Sequence, residues 1–371
     1  MTDSITMSKK DEYFVSIVKQ DIHSFMMLGV MHNGSPKLLA RVGKTNDIDP
    51  DFGKTVLMTG KAISFGTLSR ITDEGLWRSK DSVAVINYQA YAINYEQFKQ
   101  FLELTAEIEK KQLVNPDISA GILRVYRKNH PNEEVTDKKI MEDEAIKCYV
   151  PVSEEADNDE VRFELKALKD CNFTVSDQAK VEKISKEVQE IHISNTCRTS
   201  ALNIVEVVLG FATDVSKYFF VSPKYKTLLI AGQPDKESFY IFPPPPNVFK
   251  ESSDQQHRIL SKLYKRMEEI PLSNPEDPKT RAKFDAIKTM YNDIAGQNTL
   301  TATQLLGSIM KYEAEKSQAL FEKRSPGFFS NLFSLSSSTE RLFKSIKSEL
   351  EKEKASEKAD EDVPTNGPNL S

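Results

Sequence analysis

The sequence predicts an α+β fold: an antiparallel sheet with packed helices in the first part of the chain, followed by a helical region. Three observations carry that expectation. The stretch 13–44 alternates apolar runs with turn residues, above all the run 23–31, the Asn33-Gly34 pair and the run 37–42. A helical period begins at Asn94 and returns strongly after Cys197. Beyond Asn247 the β signal gives way to 253–270, 278–296 and 303–323, three helical stretches separated by Pro, Asn and Gly breaks. The chain accordingly divides into an α+β domain over 10–250, a helical region over 251–325 and a flexible tail over 326–371.

In order, residues 14–18 form a short strand candidate. The run 23–31 is apolar on both faces, as expected of a strand buried within a sheet. Asn33-Gly34 is a hairpin signal, because both positions tolerate the left-handed backbone that a tight turn needs, and 37–42 returns as the partner. Counting back from that turn sets His23 opposite residues 44–46, with a loop over 45–51. Residues 65–68 and 82–92 are further strands. Asn94 followed by Gln97 forms a capping box, and Phe98, Phe101, Leu102 and Ile108 make the apolar stripe of the helix it opens. Residues 121–126 and 146–150 read as strands joined by a charged loop, and 161–168 as the second arm of a hairpin. A charged helix over 177–191 carries a thin stripe of Val181, Ile184, Val188 and Ile191. Residues 227–231 and 238–242 form another hairpin, ended by the four prolines at 243–246, which cannot donate to a ladder. After a break at 325–327 come an aromatic run at 328–333, a charged helix over 342–354 and a polar end.

Composition narrows the function. A net charge of -5 over 371 residues gives no basic excess for nucleic acid. The three cysteines, Cys148, Cys171 and Cys197, have unrelated spacings that suggest neither a disulfide framework nor a zinc cluster, so a reducing compartment is expected. No cofactor or metal is expected. The N-terminus lacks the apolar core of a signal peptide, and no stretch is apolar enough to span a bilayer.

The chemistry concentrates at Ser194-Asn195-Thr196-Cys197-Arg198. Asn195 or Thr196 caps a helix whose apolar positions are Ala201, Ile204, Val205, Val208 and Leu209, and Gly210 stops it. Cys197 then lies in the first turn, where the helix dipole and Arg198 favour thiolate, the nucleophilic form. The competing reading is a small buried core residue. Among the histidines, His130 lies in a charged loop, His257 on a polar helix, His32 in a hairpin turn and His192 just before the Cys197 helix. His23 differs, because it opens an otherwise apolar strand. A helix carrying Cys197 across that sheet would make a Cys-His pair.

The order of these pieces resembles the circularly permuted members of the NlpC/P60 papain-like superfamily. The matching stretches are Asp21-Ile22-His23-Ser24-Phe25, then Tyr91-Ala92-Ile93-Asn94-Tyr95-Glu96-Gln97-Phe98, then Asn195-Thr196-Cys197-Arg198-Thr199. The resemblance implies a papain-like fold with His23 as base and Cys197 as nucleophile. It also implies an orienting polar residue on the strand paired with the histidine strand, for which Asn46 or Asp47 are nearest. Two departures are an Asn-Thr-Cys order where the family has Asn-Cys, and a long insertion over 113–193. The acidic, lysine-interleaved stretch 349–362, beside Phe343, Ile346 and Leu350, resembles the C-terminal export signal of Dot/Icm-type type IV secretion effectors. That resemblance implies delivery into a host cytoplasm and a host protein or peptide as substrate.

The expected activity is cysteine-dependent acyl transfer, with protease, deamidase and transferase outcomes all open. The alternative is a non-catalytic effector or adaptor that binds a host protein or membrane through the helices after Ser253. Phe328, Phe329, Leu332 and Phe333 are the expected membrane contacts.

Overall fold

In the computed structural model the described residues are 4–46, 66–75, 82–114, 127, 131–136, 139–140, 145–154, 158–173, 177–322 and 337–361. They show mixed α and β structure with antiparallel sheets, in two units, Met1–Ile241 and Phe242–Ser371.

The first unit contains β1 (Ser4–Ser8), β2 (Tyr13–Gln20), β3 (His23–His32), β4 (Ser35–Asn46), β5 (Thr67–Asp73) and β6 (Val83–Ile93). After α1 (Tyr95–Val114) come β7 (Lys147–Ser153), β8 (Glu160–Ala167), α2 (Gln178–Val188), β9 (Glu190–Ile191) and α3 (Cys197–Leu209). The unit ends with β10 (Tyr225–Ile230) and β11 (Gln233–Pro234). The large sheet runs in the order β11-β10-β6-β2-β3-β4-β5-β9, and β1-β8-β7 form a separate sheet. β1 has no counterpart in the sequence reading, because its alternating Ser and Thr residues hide the one buried side chain, Met7. The strand expected at 121–126 lies outside the described residues.

At the centre, β3 is flanked by β2 and β4, so both edges are paired and most of its side chains are buried, as its continuous apolar run requires. His32 pairs with Ser35 across a turn in which Asn33 (φ 50°) and Gly34 (φ 73°) both take left-handed backbone. At the other end of β3, Gln20 pairs with His23 around a turn through Asp21, itself at φ 51°. That turn brings His23 to the rim of the sheet.

Two helices fix the sheet's buried face. The α1 stripe of Phe98, Phe101, Leu102 and Ile108 is fully buried, each large side chain contributing about 1.5–3 kcal/mol by leaving water. Its capping box is formed in both directions between Asn94 and Gln97. The Gln97 amide then donates to the carbonyls of Val208 and Leu209, the last residues of α3. One glutamine therefore satisfies the start of α1 and the end of α3. Gly210 at φ 75° stops α3 where the sequence expects it.

The second unit holds α4 (Asp254–Glu269), α5 (Pro278–Ala295), α6 (Ala302–Phe321) and α7 (Ser338–Glu361). Ser253, Asp277 and Thr301 cap the first three, and Thr301 and Gln304 complete a capping box. The proline run belongs to the ordered body: Pro246 is buried and the Tyr291 hydroxyl donates to Pro244 O at 2.7 Å. Composition suggests a flexible tail from residue 326, but over Ser338–Glu361 the chain is a helix whose Phe343, Ile346 and Leu350 are fully buried. Glu349 and Glu353 of α7 meet Arg258 and Lys262 of α4, and Lys347 meets Glu313 of α6. As far as residue 355, the charged residues of this stretch are exposed or half-buried on a packed helix. The aromatic run 328–333 and the end from 362 lie outside the described residues. No helix among the described residues is long and apolar enough to cross a membrane.

Candidate active site

Cys197 is the first residue of α3 and is 5% exposed. Thr196 caps the helix, its hydroxyl accepting from Thr199 N, while Asn195 does a different job. The Asn195 amide donates to the carbonyls of Glu187 and Glu190, and its Oδ1 accepts from Ser200 and from Lys44. The 192–195 turn is thereby fastened to the end of α2, which sets the angle at which α3 begins.

His23 is the histidine that meets this sulfur. The His23 side chain lies close enough to the Cys197 sulfur for each to shift the other's titration, and the backbone amides of Ser24 and Arg198 also lie against the sulfur. His23 Nε2 lies 2.7 Å from Glu74 Oε1. The ring is further held by stacking on Phe25, at 5.8 Å between centroids, and the Arg41 guanidinium sits 4.2 Å over Phe25.

These contacts separate the two titrations. Burial alone would push His23 down, but the hydrogen bonds to Cys197 and Glu74 and their charges outweigh it, raising it to about 10. Burial alone would push Cys197 up, and the hydrogen bond and charge of His23, with the two backbone amides, reverse that and bring it below the ordinary thiol range. Both shifts favour a thiolate beside an imidazolium. The other cysteines lack this: burial raises Cys148 well above its ordinary value, and raises Cys171.

Glu74 is the carboxylate that meets the His23 ring. Asn46 ends β4 opposite Ser69, and Asp47 lies outside the described residues. The sequence reading placed the third residue on the strand paired with β3, whereas Glu74 follows β5, one strand further out. It reaches back because Gly43 of β4, between Phe25 and Thr72 in the ladders, leaves its side chain room to cross the sheet. A Cβ on Gly43 would overlap Glu74 Oε1 and stand 2.7 Å from Cδ and 2.9 Å from Cγ. In the sequence, Asp73-Glu74-Gly75 looks like an ordinary turn and gives no signal of this.

Lys44 is the second residue that the sequence hides. It is 3% exposed, and its ammonium meets the carbonyls of Glu187, Glu190 and Asn195, Asn195 Oδ1 and Ser200 Oγ. Burial pushes it down to about 7, against the pull of the charges on Cys197, Glu187 and Glu190. It ties the end of α2, the 192–195 turn and the first turn of α3 to β4.

His32 is at the opposite end of β3, and the half-buried His192 pairs with the Ser194 hydroxyl at 3.0 Å. His257 lies on α4 in the second unit, and His130 is outside the described residues. Among the described residues, no group of three or more His, Cys, Asp or Glu is arranged to hold a metal ion. Compared with known protein families, curated proteins and solved structures, the chain matches none.

Proposed function

We propose that this chain is a cysteine enzyme of permuted papain-like type that transfers an acyl group through a thioester on Cys197. The observation that carries this reading is the continuous run of thiol, imidazole and carboxylate from Cys197 through His23 to Glu74. The order of elements supports the papain-like assignment: a histidine opening a strand, a glutamine at a helix start and a cysteine opening a later helix.

In the first half-reaction the Cys197 thiolate attacks a carbonyl carbon, and the oxyanion that forms is held by backbone N–H groups at the start of α3. The His23 imidazolium gives its proton to the leaving group as the tetrahedral intermediate collapses to the thioester. In the second half-reaction, water or an acceptor nucleophile attacks the thioester while neutral His23 takes its proton, and the thiolate leaves. Glu74 holds the ring and stabilises its charged form without exchanging a proton with substrate. Water as acceptor makes the enzyme a protease or deamidase, and another nucleophile makes it a transferase. A protein or peptide of a host cell is the substrate we infer, from the resemblance of residues 349–362 to an export signal. A translocation reporter fused to the chain, with and without those residues, tests the delivery.

The chemistry is tested by labelling the full chain with a thiol-directed electrophile and mapping the adduct by mass spectrometry. Adduct confined to Cys197, and lost in Cys197→Ala with the circular dichroism unchanged, is expected. Labelling that persists in Cys197→Ala, or that falls on Cys171, would overturn the assignment.

A further inference from the structure

We propose that the acyl group accepted by this site carries a carboxylate or similar anion close to its reacting carbonyl, received on the flank of Cys197 formed by Lys19 and Arg198. This rests on the reading of Cys197 as the nucleophile. The flank is built from one row of the sheet. Lys19 pairs with Ser24 across the β2–β3 ladder, next to the pair of Gln20 and His23. The Ser24 hydroxyl accepts from Arg198 Nε at 3.0 Å, and the Ser24 amide lies against the Cys197 sulfur. Lys19, Ser24, Arg198 and Cys197 therefore stand side by side.

The two cations of this row have no anionic partner of their own. Arg198 is fully buried, its Nη1 reaches only the Ser216 carbonyl at 3.4 Å, and its buried Nη2 has no partner among the described residues. The Lys19 ammonium goes to neutral acceptors, Phe220 O at 3.1 Å and Ser222 Oγ at 3.3 Å. No carboxylate lies within ion-pair distance of either among the described residues, and both feel the negative charge of Cys197. The carboxylates near the site belong elsewhere: Glu74 to His23, and the charges of Glu187 and Glu190 to Lys44.

A buried guanidinium without a counter-charge is costly, and the thiolate offsets that cost only while the sulfur is free. Acylation turns the thiolate into a neutral thioester and leaves Arg198 and Lys19 unbalanced. An anion on the acyl group restores the balance at that step, with Lys19, the more exposed of the two, making the contact and Arg198 supplying the field behind it.

The test compares two reagents that differ mainly in charge. Iodoacetate and iodoacetamide each lose iodide to the same thiolate, so the ratio of their rates at Cys197 of the full chain reports anion attraction apart from thiolate formation. Iodoacetate is expected to react about tenfold faster at low salt, the effect of one partly screened charge, with the ratio falling in about 0.5 M salt. The imidazolium of His23 also attracts the anion, so the assignment turns on Lys19: the ratio should fall severalfold in Lys19→Gln and further in Lys19→Glu. A ratio near one in the native chain, or an unchanged ratio in both Lys19 variants, overturns this proposal and leaves the nucleophile in place. Failure of both reagents to label Cys197 overturns the nucleophile and this proposal with it.

Discussion

Replacing Gly43 by Ala separates Glu74 from His23 without touching either residue. The new methyl overlaps Glu74 Oε1 and crowds its Cγ and Cδ, while the Gly43 backbone has no positive φ to forbid a side chain. The carboxylate is the far end of a flexible side chain, so the expected response is that it swings away and the strand stays. What is lost is one hydrogen bond between charged groups, about 1.5–3 kcal/mol. At about 1.4 kcal/mol per pKa unit, that lowers His23 by about one to two units. The imidazolium, held up to about pH 10 in the native chain, should then give up its proton near pH 8–9, roughly. The assay is the pH profile of Cys197 alkylation by a neutral reagent, in which the alkaline change marks loss of the imidazolium. In a double-mutant cycle, Gly43→Ala should shift this limb in the native background and leave it in place in Glu74→Ala, where no carboxylate remains to displace. An alkaline limb that stays near 10 in Gly43→Ala, or an equal shift in both backgrounds, would refute the role given to Glu74.

Other outcomes follow from the same contacts. His23 is raised in the folded state, so its stabilising share is full below its ordinary value of about 6.5 and is lost as pH rises through about 10; denaturant titrations should show that loss in the native chain and not in His23→Gln. Lys44 has the opposite sign, because its folded value is depressed to about 7 and the unfolded chain binds the extra proton above it. The stability of the native chain relative to Lys44→Met should therefore rise between about pH 7 and 10, by up to about 1.4 kcal/mol per pH unit; a pH-independent difference would count against the depressed titration of Lys44. Asn195→Ala removes hydrogen bonds to the Glu187 and Glu190 carbonyls and a partner of Lys44, and should slow Cys197 alkylation while leaving most of the thermal stability. Phe343→Ala empties a fully buried position on α7 and should cost about 3–5 kcal/mol in the second unit, read by hydrogen exchange; native-like protection in that variant would show that α7 packs otherwise.

The parts of the site legible in sequence are those that announce themselves locally. Asn33-Gly34 fixes a hairpin, the hairpin fixes the length of β3, and that length puts His23 at its rim. Thr196 and Gly210 bracket α3, which puts Cys197 in its first turn. Asn94 and Gln97 give the start of α1, although nothing in their spacing says that Gln97 also holds the end of α3. Glu74 and Lys44 carry no local mark. One looks like a turn residue and the other like a polar residue at a strand end, and each acquires its role through neighbours distant in the chain. Gly43 marks the path of Glu74 only once β5 is known to lie beside β4. The sequence expects a helix over 342–354 but not its packing: Phe343, Ile346 and Leu350 look too few against a strongly charged background, yet they suffice to seat α7 when partner helices supply the rest of the core.

His23 and Glu74 are 51 positions apart, and the bond from Arg198 to Ser24, which sets the row holding the sulfur, spans 174. Contacts of such separation form late, after the loops between them have been closed at an entropic cost. Until then Cys197 is an ordinary thiol, with neither the imidazole nor the amide donors that make it a thiolate. On the proposed reading, completion of the fold is therefore what activates the Cys197 thiol. An unfolded or partly folded copy carries the same cysteine in a chemically quiet form, and refolding should restore electrophile labelling in step with burial of the β3 core, never ahead of it.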